Sequence, residues 1–266
     1  MRFRAVFFDV DGTLLTRDMR LPESVKWAVN RLREEGVAVG IATGRSYAHT
    51  EAVMKQLGID MAVLNNGGLA LRQGRILAHR PIHPERILRI LGDVEDADHA
   101  LVLHGKEFTV VNKPEDAYFL RAYHHLRVPF PSLFRNYQGE PVYQINLFCP
   151  EDEVRRYTEA YPDLTFRRWF PGSYDVNAAG VHKAEGIAAL IGELGMSWDE
   201  VVTFGDADND IQMLRAAGLG VAMGGGLPAA QEVADVVIGR PEEDAIWNFV
   251  RSNLAQEPAK AWSRAE

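Results

Sequence analysis

Cysteine is nearly missing from this chain: Cys149 is the one example in 266 residues. An internal disulfide needs two thiols and a cysteine metal cage needs more, so both are excluded and a reducing compartment is implied. Set in the apolar stretch YQINLFCP, Cys149 reads as a small buried hydrophobe. Long apolar runs are missing as well. No window approaches the ~18 apolar residues that a membrane helix needs. The basic-then-apolar start MRFRAVFF meets Asp9 too soon for a secretory leader. The expectation is a cytoplasmic protein without a membrane partner. Massed basic charge is the third absence, with 29 Lys and Arg spread along the chain against 37 Asp and Glu, a formal net charge of -8. A nucleic-acid surface is therefore not expected, and any phosphate must be held by a few local groups. Internal repeats and low-complexity tracts are absent too.

What is present is a rhythm, in a chain that is 47% hydrophobic and long enough for a core and a second module. AVFF (5–8) is apolar on both faces, as a strand is in a parallel sheet covered on each side. The stretch PESVKWAVNRLREEG puts Val25, Ala28, Val29 and Leu32 at helical spacing, opening at Pro22 and Glu23 and stopping at Gly36. VAVGIATG (37–44) is a second strand, SYAHTEAVMKQLG (46–58) a second helix and MAVLNN a third strand. The alternation returns late, with KAEGIAALIGELG, NDIQMLRAAG and PAAQEVA as helices between the strands EVVTFGD, LGVAM and DVVIG. It predicts an α/β fold, a doubly wound, Rossmann-like parallel sheet built by residues 1–80 and 176–266. Residues 81–175 change character. Strand-like GEPVYQINLFCP and LTFRRWFPGSYDVN are interrupted by helix-like PERILRILGDV and PEDAYFLRAYHHL, as in an inserted α+β domain. The tail LAQEPAKAWSRAE reads as frayed or as an added helical turn.

Side chains alternate along a strand, so Asp9 and Asp11 leave the first strand on one face, at the sheet edge where open α/β folds bind ligands. Two carboxylates that close repel unless one is protonated or a cation lies between them. A solvated turn completed by Gly12 is the plain alternative. In TFGDADNDIQML, Asp206 ends another buried strand, and Asp208, Asn209 and Asp210 open a helix that Asp206 or Asp208 could simply cap. Positions 206, 208 and 210 match a calcium loop, but Ile211 stands where its glycine belongs and Ala217 where its glutamate belongs, so that loop is excluded. Asp9 with Asp206 meets magnesium's need for one or two protein carboxylates beside water and a phosphate. Thr43 and Gly44, ending the second strand, offer a hydroxyl and backbone N–H groups that suit an anion or a helix cap. Lys183 opens a helix, the unfavourable end for a cation. It is either a phosphate ligand or a solvated surface lysine.

Taken in order, DVDGT, TGR, a lysine before a helix, and GDADND followed by Met213 resemble the haloacid dehalogenase (HAD) superfamily of phosphohydrolases. The insert between TGR and Lys183 resembles, in position and length, the type IIB cap of its Cof-like branch. The resemblance implies a magnesium-dependent phosphatase acting on small phosphorylated metabolites, sugar phosphates first among them, with flavin and pyridoxal phosphates open. Asp9 would be the nucleophile that becomes an aspartyl phosphate, and Asp11 the acid and base. Thr43 and Lys183 would bind the phosphoryl oxygens, with Gly44, Arg45, Asn66, Gly67 and Asn209 on the substrate side. Asn66 and Gly67 fit at least as well an Asn-Gly turn leading into a hairpin. Mg2+ would sit between Asp9, Asp206 and the backbone carbonyl of Asp11, supported by Asp210, with Asn209 orienting Lys183 or the phosphate.

The cap would close over the site and read the rest of the substrate. Arg45, Arg167, Arg168, Trp169 and Tyr174 are its candidate contacts, or else core. His124 and His125, on consecutive positions, cannot share a helix face and form no metal pair. Departures from the family are Ala184 (usually Gly), Gly225 and Gly226 (usually Asn-Ala) and Gln231 (usually Lys). The same residues leave open a phosphomutase or phosphotransferase, which releases no net phosphate, and a non-catalytic phosphate binder, which has no need of a nucleophile.

Overall fold

The computed structural model describes residues 3–254; the expectation for the tail beyond 254 lies outside the described residues. Along the chain run β1 (Ala5–Phe8), α1 (Glu23–Glu34), β2 (Ala38–Ala42), α2 (Tyr47–Leu57), β3 (Met61–Leu64), β4 (Leu69–Arg72) and β5 (Arg75–His79). Then come α3 (Pro84–Asp96), β6 (Ala100–His104), β7 (Thr109–Val111), α4 (Ala117–Leu126), β8 (Ser132–Leu133), β9 (Gln144–Phe148), α5 (Val154–Ala160), β10 (Leu164–Phe170) and β11 (Ser173–Ala178). The last stretch holds α6 (Lys183–Glu193), β12 (Val201–Gly205), α7 (Ile211–Ala216), β13 (Leu219–Met223), α8 (Pro228–Val233), β14 (Val236–Ile238) and α9 (Ala245–Phe249). Among the described residues no helix is long and apolar enough to cross a membrane.

The chain divides into two compact units. Among the described residues, one gathers 3–42, Val53–Ala62 and 187–254; the other gathers Thr43–Ala52 and Val63–Gly186. In the first, strands lie in the order β14-β13-β12-β1-β2, every pairing parallel. The four residues of β1 have no exposed surface, and the Phe8 ring stacks on Phe204 of β12 at 4.7 Å. Burying each such ring contributes about 1.5–3 kcal/mol, which is why the run carries no polar residue until it ends at Asp9. The register pairs Phe8 with Phe204, and the Asp9 N–H donates to the Phe204 carbonyl at 2.9 Å. Two adjacent parallel strands thus end together, each followed by an aspartate.

The second unit contains a six-stranded sheet ordered β10-β11-β9-β6-β7-β8, antiparallel except for β7 with β8. One face carries Leu101, Leu103, Ile145, Leu147 and Val176, packed with Ile87, Ile90 and Val94 of α3 and Tyr157 of α5. The other carries Ala100, Val102 and Phe148 under Phe119 and Tyr123 of α4. Asp116 caps α4, its carboxylate accepting from the Tyr118 and Phe119 N–H groups at 2.9 and 3.0 Å. Tyr174 is buried in the first of these cores and Trp169 packs on the second, whereas Arg168 is half exposed and pairs with Glu151. The His125 ring stacks on Phe170 and the His124 ring meets Phe130. Cys149 is fully buried, and burial pushes its thiol up to about 12.

Candidate active site

The expected site residues form two groups, each inside one unit. In the first, Asp9, Asp206 and Asp210 each bring a carboxylate oxygen within 4.8 Å of the others. Asp9 is 4% exposed and Asp210 fully buried. The chain turns back tightly after Gly205, so the Asp210 carboxylate accepts from the N–H groups of Asp206 and Ala207 at 2.9 and 3.0 Å. That closes the Asp208–Asp210 turn as a capping residue does. Asn209 is half-buried on this turn. Asp11, also half-buried, bridges by its backbone to Leu15 and is not in the carboxylate group.

Three glycines wall the cluster. Gly12, at φ +76°, has the Asp206 carboxylate where a Cβ would stand. A Cβ on Gly205 would come 2.6 Å from the Cγ of Asp210, and one on Gly226 2.8 Å from the Cα of Asp206. Burying like charges this close is unfavourable unless a cation joins them. Three hard carboxylate oxygens in a narrow, glycine-lined cradle fit a small divalent ion such as Mg2+.

The wall explains two departures from the family pattern. Position 226 is glycine because the Leu227 N–H donates to the Asp206 carbonyl at 2.7 Å, laying the loop against that residue and leaving no room for an alanine methyl. Gln231 ties the same loop down, its amide donating to the carbonyls of Met223 and Gly226 at 3.2 and 3.3 Å. Gln231→Ala is expected to lower stability by about 1 kcal/mol, about 2–4 °C in melting temperature. A calorimetric midpoint identical to the parent's counts against that role.

In the second unit, three segments meet. The Asn66 N–H donates to the Thr43 carbonyl and the Asn65 N–H to the Arg45 carbonyl, both at 3.0 Å. Asn65 and Asn66 sit at φ +52° and +58°, which asparagine tolerates better than most residues. The Gly68 N–H closes a 3-10 turn, Asn65–Gly67, on the Asn65 carbonyl at 3.0 Å, and this turn leads into the antiparallel β4–β5 hairpin. Thr43 is buried, and its hydroxyl accepts from the Arg45 N–H at 3.1 Å. The Arg45 guanidinium reaches the His49 carbonyl at 3.3 Å. Gly67, at φ +106°, lies against the backbone of His182 and Lys183. Lys183 is fully buried at the first position of α6, which removes the surface-lysine alternative. Burying an ammonium costs several kcal/mol unless anions or acceptors compensate. Thr43, Gly44, Asn66, Gly67 and Lys183 are therefore neighbours.

Beneath them lies a polar stripe absent from the sequence reading. Gln144 and Asn146 on β9, Asn177 on β11 and His104 on β6 are buried, and Asp175 on β11 is half-buried among them. Asp175 accepts from Asn66 at 2.7 Å, Asn146 at 2.7 Å and Gln144 at 3.2 Å. Gln144 also donates to the Gly44 carbonyl at 3.0 Å. Burial pushes the Asp175 carboxyl up to about 7, against the opposing pull of the Asn66 and Asn146 bonds and the Arg167 and Lys183 charges. The available signal was period-two polarity, Gln-Ile-Asn and Asp-Val-Asn, inside otherwise apolar strands.

A family model described as haloacid dehalogenase-like hydrolase matches residues 6–250. The chain belongs to the haloacid dehalogenase-like hydrolases. It is 32% identical to YkrA of Bacillus subtilis (strain 168), over 92% of this chain and 96% of that one. It is 26% identical to the same organism's 5-amino-6-(5-phospho-D-ribitylamino)uracil phosphatase YitU, over 92% and 96%. Among solved structures, the HAD subclass IIB sugar phosphatase BT4131 matches with a TM-score of 0.83 at 28% identity, covering 93% of this chain and 97% of its own. This HAD-like hydrolase thus has relatives named as phosphatases along nearly its whole length.

Proposed function

We propose that this protein hydrolyses phosphate monoesters of small metabolites, sugar phosphates foremost, with Asp9 as nucleophile. The observation that carries the reading is the group of Asp9, Asp206 and Asp210, in which buried Asp9 and half-buried Asp206 follow adjacent parallel strands and buried Asp210 closes the next turn. Asp9 attacks phosphorus, the bond to the leaving oxygen breaks, and Asp11 gives that oxygen its proton. Water then attacks the aspartyl phosphate while Asp11 takes a proton back, releasing inorganic phosphate and restoring Asp9. Thr43, Lys183 and the backbone at Gly44 hold the phosphoryl oxygens, with Asn66 and Gly67 shaping that loop. Asp9, Asp206 and Asp210, with the Asp11 carbonyl, would hold Mg2+, which supplies charge neutralisation for a dianionic substrate. Residues 81–175 would read the rest of the substrate. The names of YitU and BT4131 support a phosphorylated sugar or sugar-like substrate.

The test is phosphate release from a metabolite panel after exhaustive chelation and after magnesium is restored. Because such an ion supplies several kcal/mol of charge stabilisation, chelation is expected to lower the rate at least about 100-fold, with recovery on adding magnesium. A chelated enzyme with the parent's rate counts against the cluster as a metal site. Phosphate appearing on an added acceptor instead of in solution would make the reaction a transfer.

A further inference from the structure

The hydrogen bonds around Asp175 have a fixed polarity. Its Oδ2 accepts from the Asn66 amide, and its Oδ1 accepts from the amides of Asn146 and Gln144. Because the Asn146 amide nitrogen faces Asp175, its oxygen faces His104, so the 2.6 Å contact makes His104 Nε2 the N–H donor. The Asn66 amide also donates to the Gln144 side-chain oxygen at 3.0 Å. Gly44 lies over this knot: a Cβ there would come 3.1 Å from the Asn66 oxygen and 3.2 Å from Asp175 Oδ2. No donor in this set can reverse without losing its partner.

We propose that Asp175 is a positioning residue that fixes the Thr43–Gly44 and Asn66 loops, and that it does so only while ionised. The proposal rests on reading those loops as the phosphate cradle. A proton on Oδ2 would set a donor against the Asn66 amide, and a proton on Oδ1 would set one against Asn146 and Gln144. Either way one link opens. The groups facing Asp175 are Asn66 from the 3-10 turn, Gln144 and Asn146 from β9, Arg167 from the paired position of β10, Lys183 from α6 and Tyr123 from α4. Burial drives the His104 imidazole down to about 4 and raises the Tyr123 hydroxyl, so neither changes charge near neutrality. Asp175, pushed up to about 7, does. With a raised carboxyl the ionised, cradle-setting form exists above about pH 7 and is lost as pH falls.

The experiment compares the parent, Asp175→Asn and Asp175→Glu between pH 5.5 and 9 with saturating magnesium. It also follows the Asn66 side-chain amide by nitrogen-15 NMR without substrate, assigned by its disappearance in Asn66→Ser. Expected are a parent kcat that falls as pH drops through about 7, and an Asp175→Asn kcat lower by about 10- to 100-fold at pH 8. That variant should have nearly unchanged KM and no acidic limb, while Asp175→Glu recovers part of the rate and the limb. The Asn66 amide should titrate with the same midpoint in the parent. An Asp175→Asn enzyme with the parent's kcat and limb, or an Asn66 amide unmoved across the range, overturns the proposal. If no substrate releases phosphate but the amide titrates, the phosphatase reading fails and the positioning role stands.

Discussion

Asp9→Asn is expected to lower kcat for phosphate release by at least about 10^4-fold, roughly 5.5 kcal/mol of barrier. An amide keeps the shape of the carboxylate but has neither its charge nor its nucleophilic oxygen, so no phosphoryl-enzyme can form. A second effect separates this from general damage. Asp9 is buried with its carboxylate near those of Asp206 and Asp210. Removing one of three like charges relieves repulsion in the metal-free protein, so the chelated variant should melt about 2–4 °C above the chelated parent, the shift for about 1 kcal/mol at this size. With saturating magnesium the order should reverse, because the parent binds the ion more tightly and gains more by linkage. Residual activity near the parent's removes Asp9 as nucleophile. A lower melting point without metal means the three carboxylates do not repel as described.

Gly12→Ala is expected to raise the magnesium concentration needed for half-maximal activity by about 100-fold. Gly12 is at φ +76°, where an alanine pays backbone strain of about 1 kcal/mol. That strain is not what damages the site. The new methyl would occupy the place of the Asp206 carboxylate, so either the loop lifts or Asp206 leaves the cluster. Gly36 is the matched control: its φ is +75° and nothing lies within 4 Å of its Cβ position. Gly36→Ala should lose the same backbone increment in melting temperature with no change in magnesium response. If the two variants share one magnesium titration curve, the contact between Gly12 and Asp206 has no part in shaping the site.

The parallel sheet was legible because its strands are buried on both faces and therefore apolar throughout: AVFF and VVTFG admit few other readings. Asp9 and Asp206 were legible because each falls where such a run must stop. The Asp175 network was harder to see. Its residues lie on strands 30 residues apart, and the alternation of Gln144 with Asn146 or Asp175 with Asn177 looks like a strand with one wet face. Only tertiary packing shows that this face is dry. β4 and β5 also escaped notice, because their turn puts Gln73 at φ +51° before Gly74, where asparagine or aspartate is the usual signal. Strands β6 and β7 in the segment 81–175 lacked an alternation strong enough to mark them.

Cys149 has a practical corollary. A lone thiol, sealed in the core and held protonated far above neutral pH, is a poor target for maleimides or air oxidation. A cysteine engineered onto an exposed site such as Arg168 would therefore take a fluorophore or spin label by itself in the otherwise native chain, giving β10 and its sheet a reporter without first stripping the protein of competing sulfhydryls.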